Sequence, residues 1–168
     1  MYEEFLRLGQ AVERAFARLA VARGYAVRVA PRRADCNEHW DLALRRDDAL
    51  AELRVDVKGR KRLQRGGELQ DEWHWVELHG VRPHDAGWLY GGRAELITFE
   101  TQRDFVLVER ERLMDIVEAL VPPSSPHVGY APSAKYRLYS RADRADLLTL
   151  IETTHLRAAA WAVWPKHE

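Results

Sequence analysis

The chain has 168 residues, 46% of them apolar, which suffices for one domain with a real core, expected to span residues 1–168. Basic and acidic residues both total 26, so no global charge draws it to nucleic acid, and a DNA partner must be held by a local basic patch. A single cysteine, Cys36, excludes an intramolecular disulfide framework and a cysteine-rich zinc site, and the longest run without a polar residue, Ala158 to Trp164, is far short of the ~20 residues of a membrane span. The acidic start, Met1-Tyr2-Glu3-Glu4, lacks the basic character of a signal peptide, so a soluble, intracellular protein without a membrane partner is expected.

Phe5, Leu8, Val12, Phe16 and Leu19 form one apolar stripe, which predicts an opening helix ended by Gly24. Glu13 lies at the edge of that stripe, near whatever the helix packs on. Tyr25 to Val29 reads as a strand, residues 31–39 as a polar loop and Trp40 to Leu44 as a second strand. After a turn at Arg45 to Ala49, Leu50 to Lys58 alternates: Leu53, Val55 and Val57 point one way, and Glu52, Arg54, Asp56 and Lys58 the other. These two strands are expected to form a hairpin.

Residues 59–72, with Gly66-Gly67, read as a mobile loop, Trp73 to Val81 as a strand and His84 to Gly92 as a loop. Glu95 to Glu100 and Phe105 to Val108 form a predicted hairpin, followed by a helix over Arg110 to Leu120 and a proline-punctuated loop. Lys135 to Tyr139 and Asp146 to Ile151 are read as strands, and a last helix capped by Thr154 is expected to reach Trp164. This order predicts a mixed α/β sandwich and lacks both the alternation of a doubly wound fold and a glycine-rich phosphate loop.

Asp56-Val57-Lys58 is the centre of the chemistry. Residues i and i+2 of a strand share a face, so carboxylate and ammonium project together. An acid two residues before a lysine arises by chance about as often as not at this composition, so context has to carry it. Asp41 lies fifteen residues earlier, on the partner strand of the hairpin. Two aspartates side by side repel unless a cation stands between them, and Mg²⁺ (or Mn²⁺) is the natural one. Asp41, Asp56, the Val57 carbonyl and Glu13 are the expected ligands. Glu13, Asp41, Asp56 and Lys58 are the expected catalytic set, with Lys58 orienting the attacking water or neutralising the attacked phosphate.

A glutamate on the first helix, an aspartate on a hairpin strand and then Asp-Val-Lys is similar to the PD-(D/E)xK nuclease superfamily. Within it, Gly9-Gln10-Ala11-Val12-Glu13-Arg14 and the helix exit Gly24-Tyr25 most resemble the archaeal-type Holliday-junction resolvases. The resemblance covers roughly residues 5–62; beyond it, Trp75 to Phe99 and Tyr139 to Ile151 look like segments of phage-borne relatives. Trp40 stands where the family has proline before the first aspartate. The resemblance implies a restriction-endonuclease-like α/β sandwich with a central mixed sheet flanked by helices. It also implies a Mg²⁺-dependent endonuclease, often a homodimer, that cuts four-way DNA junctions. The alternatives are a restriction-like or repair nuclease acting on other DNA, and a non-catalytic DNA-binding module of the same fold.

Lys58, Arg60, Lys61, Arg62 and Arg65 place five positive charges in eight residues with no acid among them. Arg60, Lys61, Arg62 and Arg65 are the expected DNA-phosphate contacts. Trp73, Trp75 and Trp88 are candidates for stacking on bases. Glu77 and Glu95 are further candidates for the metal shell. The histidines, among them His74, His79 and His84, lack metal-ligand spacing and read as structural. Cys36 has no histidine partner to make it a nucleophile.

Overall fold

The computed structural model describes residues 11–49 and 51–167. The expected positions Phe5, Leu8, Gly9 and Leu50 lie outside the described residues. The elements are α1 (Ala11–Ala22), β1 (Ala26–Val29), α2 (Arg32–Glu38), β2 (Leu42–Arg45), β3 (Leu53–Lys58), β4 (Trp73–His79), α3 (Gly87–Tyr90), β5 (Leu96–Glu100), β6 (Asp104–Glu109), α4 (Arg110–Leu120), β7 (His127–Val128), β8 (Leu138–Tyr139), β9 (Leu147–Glu152), α5 (Thr153–Ala158) and β10 (Ala162–Pro165). Among the described residues no helix is long and apolar enough to cross a membrane.

The fold is mixed α/β. Six strands form one mixed sheet in the order β1-β2-β3-β5-β6-β10, antiparallel except for the parallel pair β3–β5. That parallel pair needs a crossover, and β4 and α3 lie within it. β4 belongs to a second, four-stranded sheet, ordered β4-β9-β8-β7.

Strand alternation gives the main sheet two apolar faces. On one, Phe16, Ala17 and Ala20 of α1 cover Val27, Leu42, Leu44, Val55, Val57, Leu96 and Leu107. Phe16 stacks on Trp164 at 5.2 Å and meets Phe105 edge-on at 5.3 Å. On the other, Ile97, Phe99, Val106 and Val108 pack with Trp88 and Leu89 of α3, Leu113 and Val117 of α4, and Val76 and Ile151 of the second sheet. Gly24, at φ +84°, turns the chain out of α1 in a conformation that costs a residue with a Cβ.

Four expectations are corrected. The expected loop over His84 to Gly92 holds the short helix α3, too brief for any apolar period to mark it. Residues 31–39 contain the helix α2, started by Pro31 and closed by His39 in the left-handed region. Ala34 is its one buried residue, so no apolar period marks it. The closing apolar run is not one helix: α5 stops at Ala158, and Ala162–Pro165 turns back to pair with β6. The loop after β3 is anchored, by an isolated bridge between Lys61 and Gln70 and by the Trp75 indole N–H donating to the Arg62 carbonyl at 3.0 Å.

His74 points from β4 into the core, its ring 5.0 Å from that of Phe99 and its Nε2 buried without a partner. Burial, the largest cause, pushes its pKa from 6.5 down to about 4. As pH falls from 6.5 towards 4 the unfolded chain gains a proton that the folded chain refuses, so stability declines. Urea midpoints at about pH 7 and pH 5 should therefore separate for the wild type and stay closer for His74→Phe; equal separation in both would clear His74 of this role.

Candidate active site

β2 and β3 pair in the register Leu42↔Val55 and Ala43↔Arg54. One step further, before β2 begins, the regular register ends at Asp41. The Asp41 N–H donates to the Val55 carbonyl at 2.8 Å, so Asp41 and Leu42 both oppose Val55, as in a β-bulge. The Asp41 Oδ2 accepts the Val57 N–H at 2.6 Å, so the side chain is fixed across the strand that carries its partner. The two expected aspartates are close, since the Asp56 charge acts on the Asp41 carboxyl.

Asp56 is 4% exposed. Its Oδ2 lies 2.7 Å from Lys58 Nζ but takes no well-aligned hydrogen bond. The ammonium also sits 4.6 Å over the Trp88 ring, which holds it against an apolar wall. Burial above all, and then the Asp56 charge, pushes the Asp41 carboxyl up to about 8, against the opposing Val57 N–H and Lys58. A buried pair of like charges with one carboxylate oxygen poorly satisfied is a donor set that suits a hard divalent cation.

Glu13 belongs to the same electrostatic neighbourhood. Burial raises its pKa first, followed by Asp35 and Asp56, while Arg14 and Lys58 lower it. Yet among the described residues no three His, Cys, Asp or Glu side chains form a group able to hold a metal ion. The expected ligand set is therefore assembled as two carboxylates. The reason is the face: α1 covers Val55 and Val57, whereas Asp56 and Lys58 alternate to the other side. Asp35, on α2, was not anticipated beside Glu13; its helix carries no apolar period that would have revealed it.

Glu77 and Glu95 separate clearly. Glu95 is bound by the Arg54 guanidinium at 2.5 Å, towards the far end of β3, and takes no part in the site. Glu77 lines a cavity of about 280 Å³ together with Lys58, Lys61 and Trp88. It accepts the Trp88 N–H at 3.3 Å, and burial raises its pKa despite that bond and Lys58.

No protein-family model, curated protein or solved structure matches the chain.

The basic loop divides as well. Arg60 is already committed: its guanidinium contacts Asp71 at 2.5 Å and its N–H donates to Glu100 at 3.0 Å. Lys61, Arg62 and Arg65 are exposed. With Trp75, Tyr139 and Arg141 they line an open groove of about 770 Å³. The loop thus carries three exposed cations where four were expected as phosphate contacts.

Proposed function

We propose that this chain is a divalent-metal-dependent DNA endonuclease of the PD-(D/E)xK type, with a restriction-endonuclease-like core and four-way junctions as its substrate. The observation that carries the reading is the closeness of Asp41 to the buried Asp56, with Lys58 Nζ 2.7 Å from Asp56 Oδ2. Asp41 and Asp56 would hold Mg²⁺ (or Mn²⁺), with the Val57 carbonyl as a neighbouring oxygen donor and Glu13 acting on the site only through its charge or an intervening water. When bound, that ion lowers the pKa of water and neutralises charge on the phosphoryl oxygens. Lys58 places a positive charge beside the scissile phosphate, and the wall of Trp88 limits its wandering. In the reaction a water oxygen attacks phosphorus, one P–O ester bond breaks, and a proton ends on the departing deoxyribose oxygen. Cleavage of DNA that needs Mg²⁺ and stops with EDTA tests the reading.

A binding-only module is the second reading, favoured by Lys58 already serving as the cation at Asp56. It predicts DNA binding with no cleavage under any divalent ion.

Affinity gives a separate test. With zero net charge, binding rests on few phosphate contacts, and Lys61, Arg62 and Arg65 are the exposed candidates. Arg62→Ala with Arg65→Ala should flatten the slope of log K against log salt by about two if both make contacts. An unchanged slope would remove the loop from the interface. A homodimer, with two loops meeting the two-fold shape of a junction, should bind a four-way junction more tightly than linear duplex of equal length.

A further inference from the structure

We propose that the groove beside the candidate active site binds an unpaired strand of DNA, stacking a base on Trp75. The inference rests on the nuclease reading and specifies what part of a substrate the site receives.

The groove lies between the loop that follows β3 and the outer face of the second sheet, where Trp75 of β4 and Tyr139 of β8 sit side by side with ring centroids 5.7 Å apart. It runs on from the smaller cavity at Lys58, since Lys61, Trp75 and Glu77 line both. A strand with a phosphate at Lys58 therefore has a continuous path to the aromatic pair. At about 770 Å³ the groove has the size of a small-ligand site, the scale of a nucleotide or two and not of a duplex.

Of the three tryptophans near the site, Trp73 and Trp88 are buried in the core, and Trp75 is half-exposed. Its indole is held by the bond to the Arg62 carbonyl, so little side-chain freedom remains to be lost when a base stacks on it. Lys61, Arg62 and Arg65 supply positive charge along the rim. Arg141 also lines the groove, with its guanidinium bound to Asp146. Glu77 is the acidic residue in the lining, at the end shared with Lys58. An aromatic floor with a cationic rim is the arrangement that holds single strands without sequence readout. A duplex keeps its base faces stacked inside and can offer such a groove only phosphates. Branch points, where strands exchange partners, present bases that leave the stack at lower cost.

The test measures binding of the full chain in EDTA, by fluorescence anisotropy, to a labelled oligothymidine and to a duplex of equal length. The single strand should bind more tightly at the same salt. Trp75→Ala should weaken strand binding about tenfold and leave duplex binding unchanged, while Trp75→Phe retains most of the affinity. Tyr139→Leu keeps bulk at the groove floor and should also lose strand affinity selectively, which covers the case of a misfolded Trp75→Ala. Equal binding of strand and duplex, or unchanged strand affinity in folded Trp75→Ala or Tyr139→Leu, would overturn the proposal. No cut is read, so the outcome is separable from catalysis: a protein that passes this test yet never cleaves DNA keeps the groove and loses the nuclease reading.

Discussion

Asp56→Asn is expected to lower Mg²⁺-dependent DNA cleavage by ~10²-fold or more while the fold survives. Asparagine matches the size of aspartate but removes the charge that a divalent ion needs. Asp56 is 4% exposed, so no solvent compensates for the loss. The fold should tolerate the change because it also relieves the repulsion that Asp56 exerts on Asp41. Lys58→Ala should reduce cleavage to a similar degree by a different route. It removes the positive charge 2.7 Å from Asp56 Oδ2 and leaves both carboxylates in place. Metal binding, read as a Mg²⁺-induced rise in Tm, should persist in Lys58→Ala and vanish in Asp56→Asn. Single-turnover rates near those of the wild type in either variant would remove that residue from the catalytic set.

Asp41→Asn should stabilise the ion-free protein at alkaline pH and not at acid pH. The Asp41 carboxyl stands at about 8 when folded against 3.8 for its ordinary value, raised by burial and then by Asp56. Between those values the folded chain keeps a proton that the unfolded chain releases, so its contribution is fully present below 3.8 and is lost as pH rises through about 8. Asparagine carries no such charge and can still accept the Val57 N–H. In EDTA the variant should gain on the wild type by a few kcal/mol at most near pH 9 and by little near pH 4. Added Mg²⁺ should reverse the order at alkaline pH, because the ion displaces the proton and stabilises the wild type alone. On the proposed nuclease reading, the same linkage should make wild-type cleavage climb as pH rises towards 8. Thermal unfolding of both proteins across this range, with EDTA or Mg²⁺, measures the effect; identical pH profiles would show that Asp41 carries no excess proton.

The legible part of this protein is the part written in local alternation. Leu53, Val55 and Val57 against Arg54, Asp56 and Lys58 showed which face each residue takes, and a short turn made β2 its natural partner. From those two facts Asp41 is expected opposite Asp56; an off-register bond sets it against Val55 instead, a local irregularity that alternation does not report, while the two carboxylates stay close. What alternation does not report is pairing between distant segments. The strand β4 was readable as a strand, but its partner β9 lies far along the chain, with Trp73 opposite Glu152, so the second sheet and its groove were not. Likewise nothing local marks Asp71 as the partner of Arg60, which turns an expected phosphate contact into an internal ion pair. Helix α2 was missed because one buried alanine makes no stripe. The final strand was missed because Ala158 to Trp164 suits a helix by composition, and only the open edge of β6 turns its last part into a strand.

On the proposed reading, Asp41, Asp56 and Lys58 together make this chain a metal-dependent DNA endonuclease. The most direct measurement incubates the purified protein with an end-labelled four-way junction, a linear duplex and a single strand, each with Mg²⁺ and with EDTA, and resolves the products on a denaturing gel. Discrete cuts should appear in the junction with Mg²⁺, few or none in the linear duplex, none in EDTA, and none with Asp56→Asn. Intact DNA in every lane with Mg²⁺ and with Mn²⁺, from a protein that still binds the junction, would contradict that reading.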